Sequence, residues 1–271
     1  MDSSFHSIFL AGSLALLCIL GPSAWAADIP CLIKPSAEVA IGAPVDGAIA
    51  TLLVEQGDVV TEGQIIATLE SSREQAAMVV AKSKAELKAP LKASQEKAEF
   101  GKRKLLRAQD LRKSAAIGQQ ELDEAETEQR LADVAFLDAQ ETQRVRQLEY
   151  QFAAAELALR TIRSPIAGVV VERILSPGEL TRQMPLVKVA QIHPLRIEAF
   201  VPMDWMGKIA PGMRARVQPA VEGAPVYDAQ VETVGLLIDN ATATFGVRLT
   251  LPNSAHRLPA GLACTVRFAP Q

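Results

Sequence analysis

The chain has 271 residues, 49% hydrophobic and 22% charged, with a net charge of −3 at pH 7. Those values are ordinary for a soluble protein and leave room for two or three small domains. A charge this close to neutrality gives no support to nucleic-acid binding.

At the N-terminus, Ile8 to Leu20 is an apolar run followed by Gly21-Pro22 and then Ala24-Trp25-Ala26. The run is too short to span a bilayer, so residues 1–26 are expected to be a removable secretory signal cleaved before Ala27. The region ahead of the run has no Lys or Arg and carries Asp2, so an uncleaved anchor is the alternative. Cys18 follows Leu16-Leu17 and lacks the small residues a lipoprotein site wants, so lipid attachment is discounted. Removing the signal leaves Cys31 and Cys264. In an oxidising compartment an even count points to one disulfide, and two buried free thiols are the other reading.

A repeat then begins. Pro44-Val-Asp-Gly-Ala-Ile-Ala50, Val54-Glu-Gln-Gly-Asp-Val-Val60 and Gly63-Gln-Ile-Ile-Ala-Thr-Leu69 are answered by Pro165-Ile-Ala-Gly-Val-Val-Val171, Leu175-Ser-Pro-Gly-Glu-Leu180 and Pro185-Leu-Val-Lys-Val189. Pro44, Gly47 and Gly57 match Pro165, Gly168 and Gly178 at a constant offset, and the register slips by one before Ile66/Leu186 and Leu69/Val189. Alternating apolar residues between glycine turns indicate short strands, and self-similarity indicates two halves of one β unit. Neither half alone has enough core to be stable.

Between the halves, Ser71 to Arg163 is rich in Ala, Glu, Lys, Gln, Arg and Leu, which lose least entropy on entering a helix. The turn signal near its middle is Ala115-Ala-Ile-Gly118. Before it, Val80, Leu87, Ser94, Gly101 and Ala108 form one line in sevens, and Ala77, Lys84, Leu91, Ala98 and Leu105 another. After it, Leu131, Val134, Val145, Leu148, Phe152, Ala155, Leu159 and Ile162 keep the period, with Asp138 and Glu141 as polar interruptions. The pattern predicts two antiparallel helices of roughly 42 residues, each about 63 Å long, zipped as a coiled-coil hairpin with its tip near 114–119.

From Pro194 onward, short alternating strands return over Leu195–Val201, Gly212–Val217, Tyr227–Val234, Thr244–Thr250 and Ala263–Phe268, with a helical turn near Asp204–Ile209. They predict a small β-barrel.

The two half-motifs are biotinyl-lipoyl-like, and their arrangement around a coiled-coil hairpin behind a signal peptide resembles the periplasmic adaptor (membrane fusion, HlyD-like) family. Val45–Leu69 and Thr161-Ile-Arg-Ser-Pro-Ile-Ala-Gly-Val-Val-Val-Glu-Arg173 carry the likeness most specifically. The resemblance implies an α+β fold: a split lipoyl-like β domain (44–70 and 164–190), the inserted hairpin (71–163) and a β-barrel (191–271). An extended N-terminal strand (27–43) would run beside the barrel and bring Cys31 near Cys264. The resemblance also implies a non-enzymatic periplasmic adaptor, peripheral to the inner membrane, linking an inner-membrane transporter to a TolC-type outer-membrane channel as a homo-oligomer. The family's docking motif (Arg, three residues, Leu, six residues, Ser) falls on Arg107, Leu111 and Gly118, with glycine in place of serine. The chain ends at Gln271, just after the last barrel strand, so the short form without a membrane-proximal domain is expected. A periplasmic coiled-coil scaffold with no channel partner is the alternative.

A biotin or lipoate carrier needs a lysine at the turn where the hairpin is inserted, which reads Glu70-Ser71-Ser72, so no cofactor is expected. His193 and His256 have no second His or Cys at ligand spacing, and the six methionines are scattered, so no metal is expected. Phosphate-binding, nucleophile-elbow and His-Glu-x-x-His motifs are absent from the sequence.

Overall fold

The computed structural model describes residues 28–269, so the expected signal and its cleavage site lie outside the described residues. The chain divides into two compact units, one holding Ala37–Gln191 and the other the chain up to Ser36 and from Ile192 onward.

In the first unit, strands β2 (Gly47–Leu52), β3 (Val59–Val60) and β4 (Ile65–Leu69) precede the helices. Strands β5 (Thr161–Arg163), β6 (Gly168–Arg173), β7 (Leu180–Thr181) and the start of β8 (Pro185–Pro202) follow them. The halves interlock by exchange. Gly57 N donates to Val170 O and Gly178 N donates to Ile49 O, both at 2.8 Å. Ile49 N reaches Glu179 O and Val170 N reaches Asp58 O, both at 2.9 Å. Gly47 pairs with Thr181, and Gly168 pairs with Val60. Each contact becomes its counterpart under the offset of the sequence repeat, so an approximate two-fold relates the halves. The shared glycines have shared reasons: Gly57 and Gly178 sit at φ +96° and +90°, where a Cβ is strained. Ile49, Val60, Ile66 and Leu69 from one half and Val170, Leu186, Val187 and Val189 from the other are buried in one cluster. Neither half could assemble that core by itself.

Three helices lie between the halves: α1 (Ser72–Ala85), α2 (Ala89–Lys113) and α3 (Gln119–Ala158). The limb expected as one helix is therefore two. Pro90 stands in the first turn of α2, where its missing N–H and its ring are tolerated; inside a continuous helix it would clash with the carbonyl of Glu86. The helical assignment also ends early, because Thr161–Arg163 pairs with β4, setting Ala67 opposite Ile162. Helix α3 runs antiparallel to both others. Lys104 Nζ meets Glu128 Oε2 at 2.5 Å, and Gln143 Nε2 donates to Ala85 O at 2.5 Å. At the foot, Arg160 Nη2 meets Glu74 Oε1 at 2.8 Å.

The seam differs from the expected one on two of the three helices. In α2 the expected lines do face α3, with Ala98 and Gly101 buried. In α1 the inward face is Glu74, Met78, Ala81 and Ala85, while Val80 and Leu87 are exposed. The interruption at 86–88 resets the helical phase, so a heptad carried through it points the wrong way. In α3 the inward residues include Leu122, Ala125, Gln129, Ala132 and Gln143. The expected line faces outward, with Leu131 67% and Phe152 69% exposed. Close approach explains the choice of small residues. A Cβ on Gly101 would lie 3.3 Å from the Cα of Gln129, leaving no room for a leucine at this level of the seam.

In the second unit, the start of β1 (Ile29–Gly42), the end of β8, β9 (Arg214–Pro219), β10 (Tyr227–Asp239), β11 (Thr244–Leu251) and β12 (Ala263–Phe268) pair in the order β1-β12-β9-β10-β11-β8. A further β1–β8 pairing closes the ring. Alternate residues point inward, so Leu195, Ile197, Val217, Val247, Leu249 and Phe268 are buried. The turn after β8 is a 3₁₀ turn at Met203–Trp205, shorter than expected, and the Trp205 ring lies 6.3 Å from that of Phe268. Cys31 and Cys264 sit opposite one another in the β1/β12 register, with Cα atoms 4.9 Å apart and their sulfurs bonded. Beside them Arg267 hydrogen-bonds the Asp28 carboxylate and holds its carboxyl below the usual range.

Candidate docking site at the helix–helix turn

Arg107 and Leu111 stand four residues apart on α2 and therefore share one face of its last turns. The Arg107 Nε donates to Arg103 O at 3.3 Å and its side chain is exposed. Leu111 is 47% exposed, an apolar side chain held beside a cation in open solvent. Neither is needed to close the α2–α3 seam.

The turn itself is built from backbone groups. Ser114 ends α2, Ala115 N donates to Arg112 O at 3.0 Å, and Ala116 N donates to Leu111 O at 2.9 Å. That pair of bonds is the Schellman arrangement, in which the residue after the helix cap adopts the left-handed region. Ala115 fills that place at φ +55°. The Ser114 hydroxyl also donates to Leu111 O at 2.9 Å, and Arg112 Nη1 reaches forward to Ile117 O at 3.2 Å.

Gly118 does a different job from the one a glycine in a turn suggests. It is the N-cap of α3, in extended conformation at φ −79° and ψ 169°, and its N–H donates to Glu121 Oε2 at 3.2 Å. That is half a capping box, since glycine has no side chain to return the bond. A Cβ here would meet nothing within 4 Å. A serine at this position would cap its own helix, so the substitution removes a local hydrogen bond as well as a hydroxyl open to a partner. Two replacements test the account. Ala115→Gly is expected to stabilise the turn by roughly 1 kcal/mol by relieving the left-handed strain. Gly118→Ser should add only a few tenths of a kcal/mol, the usual difference between these caps. Amide exchange at 112–122 measures both, and an unchanged rate in Ala115→Gly would contradict the strain. Arg112 and Glu121 were not singled out in the sequence, although an acid three residues after a candidate cap is a readable signal.

The remaining candidates take structural places. At the insertion point Glu70 Oε1 accepts from Ser72 N at 3.0 Å, and the Ser72 hydrogen bonds hold its carboxyl below the ordinary range. His193 Nδ1 accepts from Asn253 N at 3.0 Å, and His256 lies in a loop at φ +51°. Among the described residues no helix is long and apolar enough to cross a membrane.

Residues 37–191 match the model of the CzcB-like barrel-sandwich hybrid domain, and residues 195–271 match that of the CusB-like beta-barrel domain. The chain is 30% identical over 188 residues to the pyoverdine export membrane fusion protein PvdR of Pseudomonas aeruginosa, covering 68% of this chain and 48% of that one. To PvdR of Pseudomonas putida it is 30% identical over 207 residues, covering 74% and 53%. The chain thus spans about half the length of these curated relatives. In fold it is similar to MacA from Actinobacillus actinomycetemcomitans, with TM-score 0.75 and 21% identity over 90% of this chain and 78% of that one. It is also similar to the membrane fusion protein Spr0693 from Streptococcus pneumoniae R6, with TM-score 0.58 and 16% identity over 91% of this chain and all of the other. With more than half of its length matched by one domain model, and its barrel by a second, the chain belongs to the periplasmic adaptor, or membrane fusion protein, family.

Proposed function

We propose that the chain is a non-enzymatic adaptor of a tripartite efflux or secretion system, working in the periplasm after removal of its signal. In this reading it bridges an inner-membrane transporter to a TolC-type outer-membrane channel. The helices act as a coiled-coil hairpin and offer Arg107 and Leu111 to the channel. The observation that carries it is the end of α2 at its turn into α3, where a cation and a half-exposed leucine share one solvent-facing side of the helix. With about half of its surface still exposed, Leu111 leaves roughly 0.7–1.5 kcal/mol of burial for a docking partner to collect.

Assembly into a homo-oligomer belongs to the same reading. Leu131, Val134, Val145, Leu148 and Phe152 form an apolar stripe on the outer face of α3. Lysine and arginine dominate α2, whereas glutamate and aspartate dominate α3. Unlike surfaces of opposite charge favour head-to-tail packing of neighbouring hairpins over a two-fold pair.

Leu111→Asp and Arg107→Asp are each expected to reduce recovery of an affinity-tagged TolC-type channel with the chain at least tenfold, with circular dichroism unchanged. Full recovery with both variants would favour the coiled-coil scaffold without a channel partner.

A further inference from the structure

We propose that the helical pair contains a joint at Glu86–Lys88 and that Gln143 is the latch that holds it closed. The joint stands apart from docking at the tip and does not depend on it.

One side of the pair is continuous and the other is not. Helix α3 runs unbroken through 40 residues, while the facing limb is cut into α1 and α2. At the cut the backbone ladder thins to Glu86 N→Lys82 O at 3.0 Å and a tighter, longer bond, Leu87 N→Lys84 O at 3.3 Å. Pro90 supplies no N–H to continue it. Bending stiffness at this level therefore rests on α3 alone. Helix α1 ends here and meets α3 through half-buried residues only, Glu74, Met78, Ala81 and Ala85.

Gln143 lies opposite the cut and is 7% exposed. Its Nε2 donates to Ala85 O, the last residue of α1, across 58 positions of sequence. In an uninterrupted helix that carbonyl would accept from residue 89; at a helix end it is orphaned, and Gln143 supplies the donor from the neighbouring helix. The other half of the amide is left over: Gln143 Oε1 is buried without a hydrogen-bond partner. A polar atom in that condition favours a state in which water reaches it. A seam built only for rigidity would carry an apolar residue here, as Ala139 does one turn earlier. The glutamine instead makes one bond that closes the joint and leaves one group that gains when the joint opens, which is the pattern of a two-state contact.

The test uses the full oxidised chain. Spin labels at Thr61→Cys, in the loop before β4, and Ser114→Cys, at the turn, report the distance along the helices. Hydrogen exchange reports each amide. Gln143→Glu keeps the side chain's shape but replaces the donor with a carboxylate oxygen that repels the Ala85 carbonyl; Gln143→Asn keeps the amide but is too short to reach Ala85 and is the milder variant. Both are expected to widen the distance distribution and to speed exchange at 82–92 at least tenfold. Exchange at 100–110 and 126–136 should stay within twofold of the parent. An unchanged distribution with either variant, or acceleration spread evenly along the helices, would overturn the latch.

Discussion

Gly168→Ala is expected to cost about 4 kcal/mol or more, placing it among the exceptional single substitutions. The added Cβ would lie 2.3 Å from Ala190 O and 2.8 Å from its carbonyl carbon, both backbone atoms of the strand that pairs with β6. Neither can rotate away, so β6 and β8 must part or the exchange of contacts between the halves must fail. The repeat provides the control. Gly47 holds the equivalent place in the first half, but its Cβ would meet the Arg160 guanidinium at 2.8 Å and Leu69 Cδ1 at 3.3 Å, both side-chain tips. Gly47→Ala is therefore expected to cost about 1–2 kcal/mol, in the range of ordinary overpacking. Urea denaturation of the two variants measures the difference. Equal losses, or a larger loss for Gly47→Ala, would contradict the account of the interlock.

The second large effect concerns the barrel. Cys31 and Cys264 close a loop of 233 residues, and their bond limits the freedom of the unfolded chain. Loss of such a link typically costs about 2–4 kcal/mol. The Cys31→Ser/Cys264→Ser double variant should therefore melt its barrel earlier, with strands β9 to β12 losing exchange protection first. The helices, held by their own seam, should keep theirs. A melting curve unaffected by both substitutions would show that the β1/β12 pairing needs no covalent support.

Much of this architecture is written plainly in the chain because it rests on backbone requirements. Gly57 and Gly178 must adopt positive φ and Gly168 must lack a Cβ, so the repeat is visible in the residues that satisfy those demands. Helix propensity is equally local, which makes the long helical stretch readable from composition. The seam of α3 was harder to see. A count of sevens finds the largest apolar side chains, and Leu131, Leu148 and Phe152 keep the period while facing solvent and not the opposing limb. The positions that do pack are small or amphipathic, such as Ala125, Gln129 and Ala132, and their value depends on the distance of the opposing helix. Pro90 could have marked the break, since the signal is strong, but an unbroken heptad run through Leu87 and Leu91 masked it. At the turn the glycine is Gly118, whereas the left-handed position belongs to Ala115. The motif positions on α2 come from the family resemblance, and their four-residue spacing puts Arg107 and Leu111 on one face whatever the tip does.

The reciprocal bonds of the two β halves also constrain the order of assembly. Gly57 waits for Val170, and Ile49 waits for Glu179, so the first half leaves the ribosome with its own partners still unmade. The helices between them need only each other. Once they have paired, Ala67 and Ile162 stand opposite, and a closure across many residues becomes one between neighbours. What is drawn as an insertion thus serves during folding as the splint that delivers one half to the other.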